Sequence, residues 1–214
     1  MTRKLFWDDP YRQTLDTRVT RVVGAEVMVE GTILYAFSGG QESDHGTIGG
    51  RPVLGARKDG LTILYDLGPD HGLSPGDPVG LVLDWSRRYR LMRLHFAAEI
   101  ILELVMRDFG PLEKTGAHIA ADKARIDFTW EGSIAPIFPS LLESSGAVIA
   151  RDLPIVTAFS DEASQRRYWE IEGFARVPCG GTHPRRTGEI GPLALKRKNI
   201  GKGRERIEVL LTAD

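Results

Sequence analysis

The sequence predicts an α+β fold: a small N-terminal β-barrel followed by an α+β domain whose helices pack on an antiparallel sheet. Three observations carry this reading. From Thr14 to Leu83, short apolar or alternating segments are punctuated by Gly and Pro, with poor helical periodicity. At Asp84 the apolar spacing changes to that of a long helix. Beyond it, helical and strand-like segments mix, as in helices laid on an antiparallel sheet. The change of texture near residues 84–90 divides the chain into a glycine-rich domain, 1–87, and an α+β domain, 88–214.

Taken in order, TRVTRVVGAEVMVEG, GTILYAF and LTILYDLG are β-branched or apolar runs of strand type. SGGQESDHGTIGGRP and GPDHGLSPGDPVG are the turns between them. Several short strands at close spacing read as a small barrel or sandwich. In DWSRRYRLMRLHFAAEIILELVMRDFG, the residues Leu91, Leu94, Ala98, Ile101, Leu102 and Val105 fall at helical spacing, and Phe109-Gly110-Pro111 ends the run. GAHIAAD and KARIDFTWEG are strand-like. Pro136 and Pro139 confine the next helix to Ser140–Ala150. DEASQRRYW is expected as a further helix, followed by strands around GFARVPC, EIGPLALKRKNIG and RERIEVLLTA.

Bulk properties limit the function classes. The 214 residues are 42% hydrophobic and 27% charged with a mean hydropathy of −0.19, a globular composition. A net charge of −1 gives no global basic field, so a nucleic-acid partner would need a local patch. With one cysteine, Cys179, there is no intrachain disulfide framework, which fits a reducing cytosol. MTRKLFWDDP turns acidic and meets proline before any apolar run, which argues against a signal peptide. No apolar run approaches the ~20 residues of a membrane span. The expectation is a soluble, cytoplasmic protein.

Two short segments hold metal-binding donor types. His95 and Glu99 lie four apart on the predicted helix and share one face. Cys179 and His183 flank Gly-Gly-Thr, which lets a tight loop turn both inward. Together they offer imidazole, carboxylate, thiolate and imidazole, and zinc accepts all three donor types. Each half alone has a plainer reading: a solvated helix face for His95 and Glu99, a small buried side chain for Cys179, a polar loop residue for His183.

CGGTHPRRTGEIGPLALKRKNIGKGRERIEVLL resembles the closing segment of the alanyl-tRNA synthetase editing domain and its free-standing relatives, the AlaX trans-editing proteins. LYAFSGGQESDHGTIGG resembles that family's Gly-Gly-Gly-Gln segment followed by Ser-Asp-x-Gly, with Ser38 at the first glycine. LDWSRRYRLMRLHFAAEIIL resembles its D-x-x-R-R-x-x-x-M-x-x-H-T-A-x-H helix, and GAHIAADKARIDF its next hairpin. The likeness spans Val22 to Leu211, and no adenylation domain is present, which implies a free-standing member with an N-terminal barrel. One departure stands out: Glu99 occupies the place of the family's second histidine, and Phe96 that of its threonine.

The resemblance implies a metal-dependent aminoacyl-tRNA deacylase that hydrolyses Ser-tRNA(Ala), and Gly-tRNA(Ala), in trans. It implies one zinc ion on His95, Glu99, Cys179 and His183; a Glu ligand would lower the metal's Lewis acidity and favour substrate positioning over water activation. Glu99 could instead serve as a general base. Gln41 would meet the serine hydroxyl or the terminal ribose, and Thr115 would supply a hydroxyl reading serine against alanine. His45 and His118 read as structural; Thr187 and Glu189 as the turn behind the metal loop; Gly39, Gly40 and Gly46 as shaping their loop. Lys196 to Arg206 holds six basic residues and one acid, so Lys196, Arg197, Lys198, Lys202 and Arg204 are expected to touch phosphates of alanine tRNA. SRRYRLMR is a second basic run, facing either RNA or the acidic and aromatic surface of the barrel. Two other classes compete: a non-catalytic tRNA-binding or regulatory paralogue with an altered metal site, and a zinc hydrolase of a small ester or amide.

Overall fold

The computed structural model describes residues 1–212; Ala213, where the predicted last strand ends, and Asp214 lie outside the described residues. The chain forms two compact units: Met1–Ser38 with Glu42–Tyr89, and Gly39–Gln41 with the chain from Arg90 onward. The fold is α+β, mostly sheet with few helices.

The first unit holds β1 (Arg3–Lys4), β2 (Thr14–Val23), β3 (Glu26–Val29), β4 (Gly31–Thr32), β5 (Gly46–Ile48), β6 (Arg51–Pro52), β7 (Gly55–Asp59), β8 (Thr62–Asp66) and β9 (Pro78–Leu83). Seven of them make an antiparallel sheet in the order β6-β5-β9-β2-β3-β8-β7; β1 and β4 pair separately and in parallel. No ladder among the described residues joins β6 to β7, so of the expected barrel what is seen is this one long sheet. Alternation drives it: Val79, Leu81 and Leu83 are buried along β9 while Pro78, Gly80 and Val82 are exposed. Phe6, Val27, Ile33, Tyr35, Ile48, Ile63 and Tyr65 fill the core.

Helix α1 (Trp85–Phe109) opens on Asp84, whose carboxylate accepts the Arg87 N–H at 3.1 Å as an N-cap. It ends at Gly110, with φ of +90°, immediately before Pro111. Besides the predicted stripe, Met92, Phe96, Ala97, Ile100 and Leu104 are also fully buried, so this helix is packed on almost every side.

The second unit continues with β10 (Lys114–Ile119), β11 (Ala124–Thr129), α2 (Phe138–Ala150), β12 (Val156–Asp161), β13 (Arg166–Ile171), β14 (Ala175–Pro178), β15 (Leu193–Gly201) and β16 (Arg204–Leu211). One antiparallel sheet runs β10-β11-β16-β15, another β12-β13-β14. The α1 residues share a core with Ile119, Ile126, Phe128, Ile207 and Val209 of the first of these. Helix α2 begins two residues earlier than expected, because a proline is tolerated in a helix's first turn. The helix expected over DEASQRRYW is absent: its residues end β12 and begin β13, joined by a turn with Gln165 at φ +54°. Arg167, Trp169 and Ile171 are buried in alternation, a period of two that outweighs the local helical propensity. No helix among the described residues is long and apolar enough to cross a membrane.

The basic run SRRYRLMR is spent on structure. Arg87 pairs with Glu42 at 2.6 Å, Arg88 is fully buried against Asp44, Arg90 bonds the Ala121 carbonyl and Arg93 the Ile190 carbonyl.

Candidate metal centre

All the residues of this site belong to the second unit. Helix α1 presents His95 and Glu99 one turn apart. The CGGTH loop leaves β14, its Cys179 N–H still bonded to the Arg167 carbonyl at 2.9 Å. The loop returns under the TGEI turn (Thr187–Ile190), where the Thr187 hydroxyl donates to the Val148 carbonyl and accepts the Leu153 N–H. Glu189 accepts the N–H groups of Arg185 and Arg186. Thr187 and Glu189 thus fix the turn behind the loop.

His95, Cys179 and His183 converge, with their donor atoms within 4.8 Å of one another. Cys179 Sγ lies 3.6 Å from His95 Nε2 and 3.3 Å from His183 Nε2. A tetrahedral ion with metal–sulfur and metal–nitrogen bonds of about 2.3 and 2.0–2.1 Å needs a sulfur–nitrogen edge of about 3.6 Å. The donor set and its spacing therefore fit a metal ion. Both histidines are buried, and their Nδ1 atoms have no hydrogen-bond partner among the described residues. Burial works against a charge on His95, but the Cys179 sulfur and the Glu99 carboxylate beside it win and push its pKa up to about 10. Burial, with His95 and Arg167 nearby, holds His183 well below the usual imidazole range.

Glu99 stands beside this trio. Its Oε1 is 3.3 Å from His95 Nε2, and its Oε2 accepts the Trp169 indole N–H at 3.4 Å. Burial raises its pKa, but His95, the indole and Lys114 together hold it below the usual carboxylate range, so it stays charged. It lines a cleft of about 40 Å³ with Gly39, Ala98, Lys114, Ala117 and Ile119.

Gln41 is fully buried. Its amide donates to Thr182 Oγ1 at 2.8 Å and accepts the Thr182 N–H at 3.1 Å, so both ends grip the CGGTH loop. Its neighbour Gly40 has φ of +87°, and a Cβ there would sit 2.8 Å from the Ala117 carbonyl oxygen. Gln41→Ala would orphan two buried Thr182 groups, at about 1–3 kcal/mol each. Thermal unfolding and metal retention of that variant should both fall; unchanged values would deny Gln41 this anchoring role.

Thr115 is exposed, at the bulge between Lys114 and Gly116, and is not among the cleft's lining residues. Among the basic residues, Arg197 turns back to Glu205 in a two-bond pair, while Lys196, Lys198 and Lys202 are exposed and Arg204 is half-buried. Sequence reasoning missed Thr182, Trp169 and Lys114. A period-two reading of RRYWEI would have found Trp169 in a strand; nothing local announces the other two.

Residues 168–208 match the family model described as the threonyl and alanyl tRNA synthetase second additional domain. The chain is 31% identical over 216 residues to the alanyl-tRNA editing protein AlaX-M of Pyrococcus horikoshii, covering 99% of this chain and 98% of the relative. It is 33% identical over 233 residues to that of Saccharolobus solfataricus, covering 97% and 98%. It also resembles alanine–tRNA ligase of Methanococcus aeolicus, at 29% over 229 residues, which covers 97% of this chain and 25% of that enzyme.

Proposed function

The chain belongs to the family of free-standing alanyl-tRNA editing proteins, and from that premise we propose that it clears mischarged alanine tRNA in trans, hydrolysing Ser-tRNA(Ala) and Gly-tRNA(Ala) in the cytosol. The observation that carries the reading is the converging His95–Cys179–His183 trio, whose His95 also lines a small cleft beside Glu99. These three residues would hold one zinc ion, with Glu99 as neighbour or fourth donor; the bound ion supplies Lewis-acid polarisation or a more acidic water.

The chain's own groups do the rest. Glu99, whose Oε2 accepts the Trp169 indole N–H, offers the cleft a carboxylate for the α-ammonium of the aminoacyl group. That favours binding and orientation over proton abstraction, since a carboxylate so stabilised is a weak base. Gly39, Ala98 and Ala117 leave room for a small side chain only, and we assign them, rather than the exposed Thr115, the reading of size. Gln41 acts through Thr182 by fixing the loop that carries Cys179 and His183. Phosphates of the tRNA meet the basic hairpin of β15 and β16.

Deacylation of Ser-, Gly- and Ala-charged alanine tRNA, with metal analysis on the same sample, tests the reading. We expect rapid loss of serine and glycine; equally rapid hydrolysis of correctly charged Ala-tRNA(Ala) would overturn the proofreading role. No turnover on any of them would instead support a non-catalytic tRNA-binding paralogue, the reading favoured by a carboxylate at position 99. A Glu99→His variant with unchanged metal content and unchanged deacylation would remove any special role for Glu99.

A further inference from the structure

The β10-β11-β16-β15 sheet has two unlike faces. Register places Ile126, Ile207 and Val209 together on the face that shares the α1 core. One residue out of phase, the opposite face carries Arg125 and Asp127 on β11, Arg204, Arg206 and Glu208 on β16, and Lys196 and Lys198 on β15, with Lys123 at the start of β11. Six cations thus meet two strand acids, in a chain whose net charge is −1.

The acids do not neutralise the face; they organise it. Asp127 is shared by Arg125 at 2.6 Å and Arg206 at 2.7 and 2.9 Å. Glu208 holds Lys123 at 2.7 Å. Lys196 and Lys198 are exposed, and they and Arg204 make no ion pair among the described residues. Glu113, bonded to Thr129, marks the acidic end of the face. Arg197 is out of phase with this array and points to Glu205 on the other side.

We propose that this outward sheet face, rather than the tip of the β15–β16 hairpin, is the docking surface for the phosphate backbone of the tRNA. The inference rests on the tRNA substrate proposed above. Neighbouring strands lie about 4.8 Å apart and same-face residues about 6.8 Å apart along a strand, so the cations form a regular grid. The register places no Phe, Tyr or Trp on this face, only His118 opposite Arg125, so cations dominate it and suit the phosphate backbone rather than base stacking. Arginines already held by Asp127 lose little further freedom on binding.

The test uses the full chain, alanine tRNA at several salt concentrations, and Ser-tRNA(Ala) kinetics. Lys196→Glu/Lys198→Glu should raise Kd and KM by about 30-fold or more, with kcat within about twofold, and flatten the salt slope by about two phosphate contacts. Lys202→Glu at the hairpin tip should weaken binding by less than about threefold. Lys196→Gln/Lys198→Gln, which puts no like charge opposite Glu208, should show the same order of effects if the Glu variant folds poorly. Wild-type binding by both double variants overturns the docking surface alone, as does a Lys202→Glu defect equal to theirs. Wild-type protein that binds no tRNA even at low salt overturns the tRNA reading and this surface with it.

Discussion

Gly181→Ala is expected to abolish metal retention and to lower deacylation of Ser-tRNA(Ala) by about 100-fold, although it removes no donor. A Cβ on residue 181 would lie 2.1 Å from His95 Cε1, 2.6 Å from His95 Nδ1 and 2.8 Å from Gln41 Oε1. None of these neighbours can yield. His95 is buried in a helix packed on almost every side, and Gln41 is fully buried and tied to Thr182. The loop must therefore back away, and Cys179 and His183 travel with it. The Sγ–Nε2 separation of 3.6 Å, which suits a tetrahedral ion, would open. Cys179→Ala deletes the sulfur outright and should give the same phenotype, while His95 keeps its place. Metal content after gel filtration, single-turnover deacylation and a circular dichroism spectrum decide the matter. A Gly181→Ala protein that keeps its metal and a rate within about threefold of wild type would show that the loop is not clamped as described.

The halves of this site were legible to different degrees. His95 and Cys179-x-x-x-His183 are readable because donor type and spacing are local: one helix turn, and one loop with two glycines. That they meet is also readable from the resemblance. What holds them is not. Gln41 and Thr182 are 141 residues apart, and neither residue type announces a buried amide–hydroxyl pair. Thr115 shows the limit of strand reading. The bulge between Lys114 and Gly116 resets the alternation, so a parity count from Ile119 cannot tell which face residue 115 takes. The Lys196–Arg206 run shows the same limit in reverse. Composition flags six cations, but only the register with β16 separates Lys196 and Lys198 from Arg197, whose charge is spent on Glu205. The helix expected near Gln165 failed for a related reason: polar residues with good helical propensity hid a buried Arg167–Trp169–Ile171 alternation.

Asp44→Ala should destabilise the first unit by about 3–5 kcal/mol, the largest stability loss expected of any single polar substitution there. Arg88 and Asp44 have no side-chain exposure at all. Asp44 receives Arg88 Nε at 2.9 Å and a second, short bond from Nη2, and it also accepts the Tyr35 N–H at 2.6 Å. Nη1 also reaches the Pro10 carbonyl at 2.9 Å and Nη2 the Ile33 carbonyl at 2.7 Å. Both side chains are fully buried, so deleting the carboxylate leaves a full positive charge with backbone carbonyls as its neighbours. Arginine cannot escape by releasing its proton, because its pKa stays above 12. For a unit of this size each kcal/mol is worth about 4–8 °C, so melting of the unit should fall by more than about 10 °C. Asp44→Asn, which keeps the shape and loses the charge, should sit between Ala and wild type. The double variant Asp44→Leu/Arg88→Met separates the pair's net worth from the cost of orphaning one partner: it should be more stable than Asp44→Ala. Urea melts of the four proteins measure this, and a single-variant loss below about 1 kcal/mol would mean that water reaches Arg88 and that the buried pair does not anchor the unit.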